Sequence, residues 1–380
     1  MDYGEPKKLI LITSAFSASF HSSYLLKIKI VDKYTLLCSY RDFLAQKGFK
    51  ASTGSIGGMI FLEIDCDITD LAHLIQEKNT VADKLVDEIK QAWENYRKGS
   101  WEIRTRNHVV KLETGSPLLM GIVNITPDSF YDGGKYFSSE AAVEHALRLQ
   151  EEGAHIIDIG GQSTRPGSIP VSPEEESDRI MPVLSALKNR ISVPISVDTY
   201  NSKVADAALR TGADMVNDTS ALTLDEGMHD VITRNNVPVV IMHYQESLQP
   251  MPQEAYYGDS VYDISVWLKE RIDVLKNAGI NNGSIIIDPG IGFGKELEHN
   301  LEIVHKLDAF RCLGHPVLLG LSRKSFIGKI VPDKGPQDRL EGTIAACVLA
   351  LLKGAAILRV HDVKAVKNAL DIAKGIINGV

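Results

Sequence analysis

From about residue 118 onward, short apolar runs alternate with longer segments in which apolar residues recur every three or four positions. The short runs are rich in Ile and Val, which favour β-strands, and the longer segments have the period of amphipathic helices. Eight runs are strand candidates, at residues 118–126, 155–161, 193–199, 214–220, 237–244, 284–290, 316–324 and 355–362. Several helical segments end at a glycine just before the next strand, the expected helix stop, at Gly153, Gly212, Gly279 and Gly354.

This alternation predicts a parallel β-sheet covered by helices, because strands buried on both faces are apolar almost throughout. Eight strand–helix units in roughly 260 residues match the size of a (β/α)8 TIM barrel. A doubly wound open sheet is the alternative. Polar residues stand at the ends of all eight predicted strands, and this even distribution favours the closed barrel.

Residues 1–98 do not follow this repeat. Three apolar runs predict strands and two amphipathic segments predict helices, at residues 9–16, 24–31 and 59–66 and at residues 34–49 and 68–99 respectively. We therefore expect a small α+β N-terminal domain at 1–98, followed by the barrel at 99–380. The first part carries no nucleotide-binding motif that we recognise, so a structural or oligomerisation role is favoured over a second enzyme.

Composition narrows the class of protein. Hydrophobic residues make up 44% of the chain and charged residues 24%, which is ordinary for a soluble globular protein. The net charge of −8 argues against binding to nucleic acid, and no apolar segment is long enough to predict membrane association. The four cysteines form no close pair, which indicates free thiols in a reducing, cytoplasmic compartment instead of a disulfide framework or a zinc site.

The polar residues at the predicted strand ends fall into two chemical groups. In a TIM barrel this end of the strands carries the active site. Hydrogen-bond acceptors, which suit a flat heterocycle with several N–H groups, stand at Asp158, Asp198, Asn217 and Asp288. Cations and donors, which suit an anion such as phosphate, stand at Arg165, Lys324, Arg359 and His361. The sequence thus predicts a heterocycle pocket beside an anion pocket.

Asn124 ends the first predicted strand, and an acidic loop follows it. Mg²⁺ prefers oxygen ligands that are shared between protein, water and substrate phosphate. We therefore expect Asn124 to contribute to a magnesium site. Met242 and His243 end the fifth predicted strand.

Eight motifs of residues 100–380 occur in the order and spacing of the dihydropteroate synthases, and the chain resembles that family closely. They are "GIVNITPDSFYDGG", "IIDIGGQSTRPGS", "PISVDT", "VNDTSAL", "VVIMH", "IIIDPGIGFGK", "LLGLSRKSFIG" and "ILRVHDV". The resemblance implies a barrel enzyme of folate biosynthesis that joins 6-hydroxymethyl-7,8-dihydropterin pyrophosphate to p-aminobenzoate and releases pyrophosphate. It also implies Mg²⁺ as cofactor, a homodimer and inhibition by sulfonamides, which mimic p-aminobenzoate.

The resemblance also implies a role for each strand-end residue. The pterin-binding set would be Asp158, Asp198, Asn217, Met242, Asp288, Lys324 and Arg359. The pyrophosphate-binding set would be Asn124, Arg165, Arg359 and His361, with Asn124 also meeting the metal. The p-aminobenzoate-binding set would be Thr164, Phe293, Ser322 and Lys324. Asp198, Lys324 and Asn124 are the expected catalytic residues.

Two segments depart from the family pattern. Gln162 stands where an acid is common, and the segment 245–259 lacks a glycine that is usual there. Two other functions share the barrel: methyl transfer from a reduced pterin, and pterin binding without catalysis. The complete set of predicted cations favours a substrate that carries pyrophosphate, and hence the synthase over both alternatives.

Overall fold

The computed structural model of the chain describes most of both predicted parts. The described ranges are 9–14, 26–31, 34–56, 59–76, 83–125, 139–162, 171–244, 259–332 and 335–379. None of the helices in these ranges is long and apolar enough to cross a membrane. All four cysteine thiols are free, and three of them are buried.

The N-terminal part is a four-stranded antiparallel sheet with three helices, so the expectation of a small α+β unit is confirmed. Its strands are β1 (Leu9–Ser14), β2 (Leu26–Val31), β3 (Lys50–Ile56) and β4 (Met59–Cys66), in the order β1-β2-β4-β3. Its helices are α1 (Tyr34–Gln46), α2 (Ile68–Gln76) and α3 (Asp83–Arg97).

Two details of this part were predicted wrongly. The sequence of β3, "KASTGSI", is too polar to predict a strand, and β3 pairs on one side only, as an edge strand does. The single helix predicted over 68–99 is instead two helices, α2 and α3, which contact each other. Consecutive segments of one straight helix do not make such contacts, because each residue advances the chain by about 1.5 Å.

A hairpin that the sequence analysis missed seals the amino-terminal end of the barrel. Its strands are β5 (Ser100–Arg104) and β6 (Val109–Glu113). Trp101 and Ile103 alternate with exposed residues along β5, and the Trp101 indole N–H donates to the Gly314 carbonyl at 3.0 Å. The hairpin packs on the lowest inward side chains of the barrel, and this cluster consists of Trp101, Ile103, Leu112, Met120, Ile156, Met215, Val240, Ile286, Leu318, Ala356 and Ile357. The barrel therefore has a closed apolar floor.

The eight predicted parallel strands and the TIM barrel are confirmed. The strands are β7 (Leu118–Asn124), β8 (Ile156–Gly160), β9 (Ile195–Asp198), β10 (Met215–Asp218), β11 (Val239–Met242), β12 (Ile285–Asp288), β13 (Leu318–Gly320) and β14 (Ile357–Val360). They lie in the order β12-β11-β10-β9-β8-β7-β14-β13, and a parallel bridge between Ile287 and Val317 joins the two ends of the sheet. The strands are buried along nearly their whole length, as their apolar runs predict.

Nine described helices surround the strands. They are α4 (Ser139–Glu151), α5 (Pro173–Leu187), α6 (Ser202–Thr211), α7 (Gly227–Asn235), α8 (Ser260–Asn277), α9 (Leu297–His305), α10 (Ser325–Ile330), α11 (Leu340–Leu352) and α12 (Val363–Asn378). Short 3-10 helices add Asn282–Ser284, Leu307–Leu313 and Pro336–Arg339. The predicted glycine stops are confirmed, since the four glycines have positive φ, with +139° at Gly212.

The strands end slightly differently from the prediction. Asp158 and Asn217 lie inside β8 and β10, one or two residues before the strands end. Lys324 does not end a strand, because β13 stops at Gly320 and Lys324 is instead the N-cap residue that directly precedes α10. A sequence pattern predicts whether a segment is a strand or a helix more reliably than it predicts the last residue of that segment.

The N-terminal part packs against the outside of the barrel, between α8 and the 3-10 helix Leu307–Leu313. Lys29 of β2 pairs with Asp259, the residue that caps α8, with 2.6 Å between Nζ and Oδ2. Asp259 also accepts from the Tyr262 backbone N–H at 3.0 Å. Burial alone would raise the pKa of Asp259, but Lys29 and this N–H hold it below its usual value. The ion pair therefore fixes the start of α8 to the N-terminal sheet.

Replacing Lys29 by Met should destabilise the protein by about 3–5 kcal/mol, because it leaves the buried Asp259 carboxylate without its cation. The free energy of unfolding would be measured by chemical denaturation of the full chain. Lys27→Met is the matched control. Lys27 lies on the same strand, but its side chain is 49% exposed and its Nζ is as far as 3.9 Å from Asp65 Oδ1. Loss of the same free energy in both variants would contradict the prediction, whereas Lys29→Met with Asp259→Asn should recover part of it.

Candidate active site

The polar site lies directly above the apolar floor because side chains along a strand point inward at every second residue. Four floor residues are followed two positions later by a polar residue: Ile156 by Asp158, Met215 by Asn217, Ile286 by Asp288 and Ile357 by Arg359. Within two residues along each of these strands, the interior of the barrel therefore changes from apolar to polar side chains. The register brings Asn217 beside Asp198 and Met242 beside Asp288 on neighbouring strands.

Arg359 links two of the predicted acids. Its Nε donates to Asp158 Oδ2 at 2.6 Å, and its Nη2 donates to Asp198 Oδ2 at 2.7 Å. Asn217 Nδ2 donates to the same Asp158 oxygen at 3.1 Å. Four predicted site residues therefore form one hydrogen-bonded network, although the sequence analysis had placed Arg359 chiefly with the anion.

This network lacks donors. Within the part of the chain that the structure describes, the Oδ1 atoms of Asp158 and Asp198 are buried without any hydrogen-bond partner. Burial, with the neighbouring Asp158 carboxylate, raises the pKa of Asp198 to about 7, even though Arg359 lowers it. Two unpartnered acceptors next to each other suit a ligand that brings paired N–H groups.

Asp288 and Lys324 face each other in the second half of the site. Burial raises the pKa of Asp288 and lowers that of Lys324 to about 8, and each charge partly offsets the shift of the other. Asp288 Oδ1 accepts from the Gly290 backbone N–H at 2.7 Å. Lys324 donates to the Ile291 carbonyl, and its Nζ lies 4.6 Å from the centre of the Phe293 ring. Phe293 thus forms an aromatic wall beside this ammonium group.

Ser322 and His361 lie together above β13 and β14. The Ser322 hydroxyl accepts from the His361 backbone N–H at 3.2 Å and lies 3.0 Å from His361 Nδ1. Asn124 ends β7, the strand next to β14, and a Cβ on Gly160 would lie 3.8 Å from Asn124 Oδ1 and 3.4 Å from Asp198 Cβ. Asn124 is therefore close to the carboxylate network.

Most of the predicted site residues that the structure describes lie together at the carboxyl-terminal ends of the barrel strands. Thr164 and Arg165 lie outside the described residues, so their predicted roles stay predictions. Gln162, the residue that departs from the family pattern, donates through Nε2 to the Tyr200 hydroxyl at 2.7 Å. An acid at this position would accept that hydroxyl proton instead.

Sequence reasoning missed the contacts of Lys295 at this end of the barrel. Its Nζ lies 3.0 Å from His243 Nδ1 and donates to the Phe293 carbonyl at 3.0 Å. Burial lowers the pKa of Lys295 to about 7 and that of His243 to about 3. At Gly290, with φ of +74°, a Cβ would lie 2.0 Å from the His243 carbonyl oxygen, so only glycine fits there. The alternating glycines before Lys295 were the available signal.

Glu176 of α5 was also missed. It is buried behind β9, and burial raises the pKa of its carboxyl group to about 7 despite a hydrogen bond from Thr199 and the charge of Arg179. Thr199 directly follows Asp198, so Glu176 adds negative potential behind the carboxylate network. The acidic start of α5 gave no signal that one of its acids points inward.

The model of the "Pterin binding enzyme" family matches residues 120–361. The dihydropteroate synthase of Bacillus subtilis is 45% identical over 261 residues, 69% of this chain and 89% of that protein. That of Escherichia coli is 40% identical over 263 residues, 69% of this chain and 93% of that protein.

Solved structures give the same answer. Dihydropteroate synthase of Xanthomonas albilineans with 4-aminobenzoic acid is 43% identical, with a TM-score of 0.68, over 73% of this chain and 98% of that one. A structure of the same protein with 7,8-dihydropteroate has a TM-score of 0.66 at 41% identity and the same coverage. A sulfonamide complex of the Yersinia pestis enzyme covers 73% of this chain and all of its own, with a TM-score of 0.68 at 38% identity.

Proposed function

Since this chain belongs to the dihydropteroate synthases of the pterin-binding enzyme family, we propose that each half of its polar barrel end holds one part of the same substrate. The enzyme condenses 6-hydroxymethyl-7,8-dihydropterin pyrophosphate with p-aminobenzoate, and 7,8-dihydropteroate and pyrophosphate are released. The residue assignments below are the proposal.

The pterin ring lies against Asp158, Asp198, Asn217 and Asp288. The observation that carries this assignment is the pair of buried, unpartnered Oδ1 atoms on Asp158 and Asp198, which the ring N–H and amino groups supply with donors. Met242 packs against the ring beside Asp288, and Lys324 donates to its acceptor atoms.

The pyrophosphate group lies at Arg359, His361, Asn124 and Arg165. Arg359 uses Nε and Nη2 for the two aspartates, and within the described residues its Nη1 makes no hydrogen bond. A guanidinium group with donors to spare, 20% exposed at the mouth of the barrel, suits a phosphate oxygen.

Magnesium fits this end of the barrel as a shared ion. In the described residues no group of three or more His, Cys, Asp or Glu side chains is arranged to hold a metal, so this part of the chain offers few ligands. Mg²⁺ normally keeps several waters and binds through one or two protein oxygens and substrate phosphates. Asn124 Oδ1 would supply such an oxygen, and the bound ion would neutralise charge on the leaving pyrophosphate.

p-Aminobenzoate lies between Phe293, Ser322, Lys324 and Thr164. The ammonium group of Lys324 and the Ser322 hydroxyl bind its carboxylate, while the Phe293 ring covers its apolar face. The amine then points to the pterin methylene carbon. Its neutral nitrogen needs no strong base before it attacks, so the side chains position and stabilise charge instead of removing a proton first.

The reaction breaks the bond between the pterin methylene carbon and the pyrophosphate oxygen, and the electron pair leaves with the oxygen. Positive charge develops on the pterin, where Asp198 and Asp158 stabilise it. Negative charge develops on the leaving group, where Arg359 and His361 donate. The amine nitrogen forms the new bond to carbon and then loses one proton to solvent.

The test is an incubation of the full chain with the pterin pyrophosphate, p-aminobenzoate and Mg²⁺, followed by detection of dihydropteroate. The expected result is product that depends on all three and disappears with EDTA. Product without p-aminobenzoate dependence would indicate another acceptor, and binding of the pterin without any turnover would indicate a binding protein. A cytoplasmic location is proposed with this activity, which the free thiols support.

A homodimer is the proposed assembly, formed through α11 and α12. These neighbouring helices carry large apolar side chains that are about half exposed or more, at Leu349, Leu352, Ile372, Ile376 and Ile377. On α12, Ile376 and Ile377 follow Ile372 by four and five residues, so the three side chains lie on one face of the helix and form an apolar stripe. A second copy of the same stripe is the occupant that covers it symmetrically.

Ile376→Glu should therefore shift the protein from dimer to monomer, because it places a charge in the centre of the covered stripe. Analytical ultracentrifugation over a range of concentrations gives the dissociation constant, expected to rise at least about 100-fold if one charge costs about 3 kcal/mol. Leu224→Glu is the matched control, an apolar side chain that is 49% exposed elsewhere on the barrel. A parent protein that is monomeric at all concentrations would refute the assembly.

A further inference from the structure

The tripeptide Ser322-Arg323-Lys324 turns unusually sharply. Arg323 has a φ of +57°, in the left-handed region that a residue with a side chain seldom adopts. Its two neighbours face the site, since Ser322 bonds to His361 and Lys324 bonds to the Ile291 carbonyl. Arg323 itself reaches the other way. A strained turn therefore presents two site residues from one short segment.

One carboxylate holds the Arg323 side chain at two of its three guanidinium nitrogens. Nε donates to Asp362 Oδ2 at 2.8 Å, and Nη2 donates to Asp362 Oδ1 at 2.6 Å. Such a bidentate pair fixes orientation as well as distance. Both side chains are partly buried, and neither residue belongs to the pocket assigned to the substrates.

The backbone of Arg323 is held by the start of α11. Its N–H donates to the Thr343 hydroxyl at 3.0 Å, and its carbonyl accepts from Arg339 Nη1 at 3.1 Å. The Thr343 hydroxyl in turn donates to the Arg339 carbonyl at 2.8 Å. Several contacts therefore hold the same strained backbone conformation. A residue keeps such a conformation only where its surroundings hold it in this way.

Asp362 directly follows His361, just as Arg323 directly precedes Lys324. The ion pair thus joins the segment after β13 to the segment after β14, one residue away from site residues on each side. The Ser322–His361 contacts lie in the same two segments. The relative position of the p-aminobenzoate end and the pyrophosphate end of the site depends on this junction.

We propose that Arg323 and Asp362 are positioning residues, whose bidentate ion pair aligns Ser322 and Lys324 with His361 so that p-aminobenzoate meets the pterin methylene carbon in line. The proposal rests on the assignment of Ser322 and Lys324 to p-aminobenzoate above. It assigns the two residues no contact with substrate.

Arg323→Gly separates positioning from stability. The variant loses the ion pair. Glycine adopts a φ of +57° without strain, and this relief offsets part of the stability that is lost with the pair. The KM for p-aminobenzoate should rise about 10- to 100-fold, the cost of a misplaced reacting group, while the KM for the pterin pyrophosphate changes less than about threefold. A merely structural role predicts a lower unfolding temperature with both KM values unchanged.

Asp362→Asn tests the other partner, because it keeps the size of the side chain and removes the charge. It should raise the same KM, and the double variant Arg323→Gly with Asp362→Asn should be no worse than Arg323→Gly alone. Asp206→Asn is the matched control: Asp206 pairs with Arg210 and Arg234 on the outer face of the barrel and should leave both KM values unchanged.

Steady-state kinetics in both substrates, with thermal unfolding of each variant, decide the question. An unchanged KM for p-aminobenzoate in Arg323→Gly and Asp362→Asn overturns the proposal, and so does an equal rise in both KM values. Ser322→Ala, measured in parallel, distinguishes an error in the substrate assignment from an error in the positioning role. If it leaves the KM for p-aminobenzoate unchanged, the assignment of the slot is wrong. If it raises that KM while the ion-pair variants do not, only the positioning role is wrong.

Discussion

Asp198→Asn should lower kcat/KM for the pterin pyrophosphate about 100- to 1000-fold at pH 8, the usual cost of one preorganised electrostatic contact. The carboxylate is buried beside Asp158. In the proposed mechanism it stabilises the positive charge that develops on the pterin as the bond to pyrophosphate breaks. Asparagine keeps the shape and can still accept from Arg359, but it lacks the charge. Steady-state rates at subsaturating pterin substrate measure the loss.

The pH dependence gives the same prediction a second measurement. Burial raises the pKa of Asp198 to about 7, so the free enzyme holds a neutral carboxylic acid below that pH and a carboxylate above it. The proposed role requires the carboxylate, so kcat/KM should fall tenfold for each pH unit below about 7. In Asp198→Asn this acidic limb should disappear.

The same raised pKa fixes the sign of the stability effect. A carboxyl group that is harder to ionise in the folded state stabilises the fold most at low pH, and that contribution is lost as pH rises to about 7. Asp198→Asn should therefore unfold no more easily than the parent at pH 8. Asp218→Asn is the matched control, since Asp218 is a buried aspartate on the next strand whose pKa is raised to about 6 but whose oxygens bond to Ser220 and Leu222. A retained acidic limb in Asp198→Asn would assign the pH dependence to another group.

Arg359→Met should weaken binding of the pterin pyrophosphate about 100-fold or more, since truncating the protein side of a desolvated charged contact with a ligand costs about 2–5 kcal/mol. Binding of 6-hydroxymethyl-7,8-dihydropterin without pyrophosphate should change only a few-fold, because Asp158, Asp198 and Asn217 keep their acceptors and donors. Isothermal titration calorimetry with both ligands measures the two effects on the same protein.

The comparison between the ligands carries the test. Equal losses for both would mean that Arg359 acts only through the arrangement of the aspartates. Arg210→Met serves as control, because Arg210 is an exposed arginine in an ion pair with Asp206. This variant should bind both ligands as tightly as the parent protein does.

The barrel was predictable from sequence because its signal repeats. Each strand is a short apolar run, each helix has its own period, and each polar strand end falls in the same place, so an error in one unit is corrected by the others. Edge strand β3 and the floor hairpin have no such repetition. Trp101 and Ile103 are buried only because a barrel end lies opposite them, which no local pattern contains.

Site residues were predictable by type more than by partner. The alternation of strand side chains determines that Asp158 and Arg359 both point inward, but not that they touch, since 201 residues separate them. That contact depends on the closure of the barrel, which makes β14 and β7 neighbours. The contacts of Lys295 and Arg323 escaped for the same reason, because both bind segments that are distant in sequence.

The guanidinium group of Arg359 lies across the Oδ2 atoms of Asp158 and Asp198 and leaves their Oδ1 atoms open. On the assignments proposed above, the pterin takes the Oδ1 atoms while the arginine keeps its place, and the remaining N–H groups of the arginine face the pyrophosphate. One planar group would then contact the two acids along one edge and the leaving group along another. The charge that balances the carboxylates in the empty enzyme would thus also be the charge that meets the departing pyrophosphate.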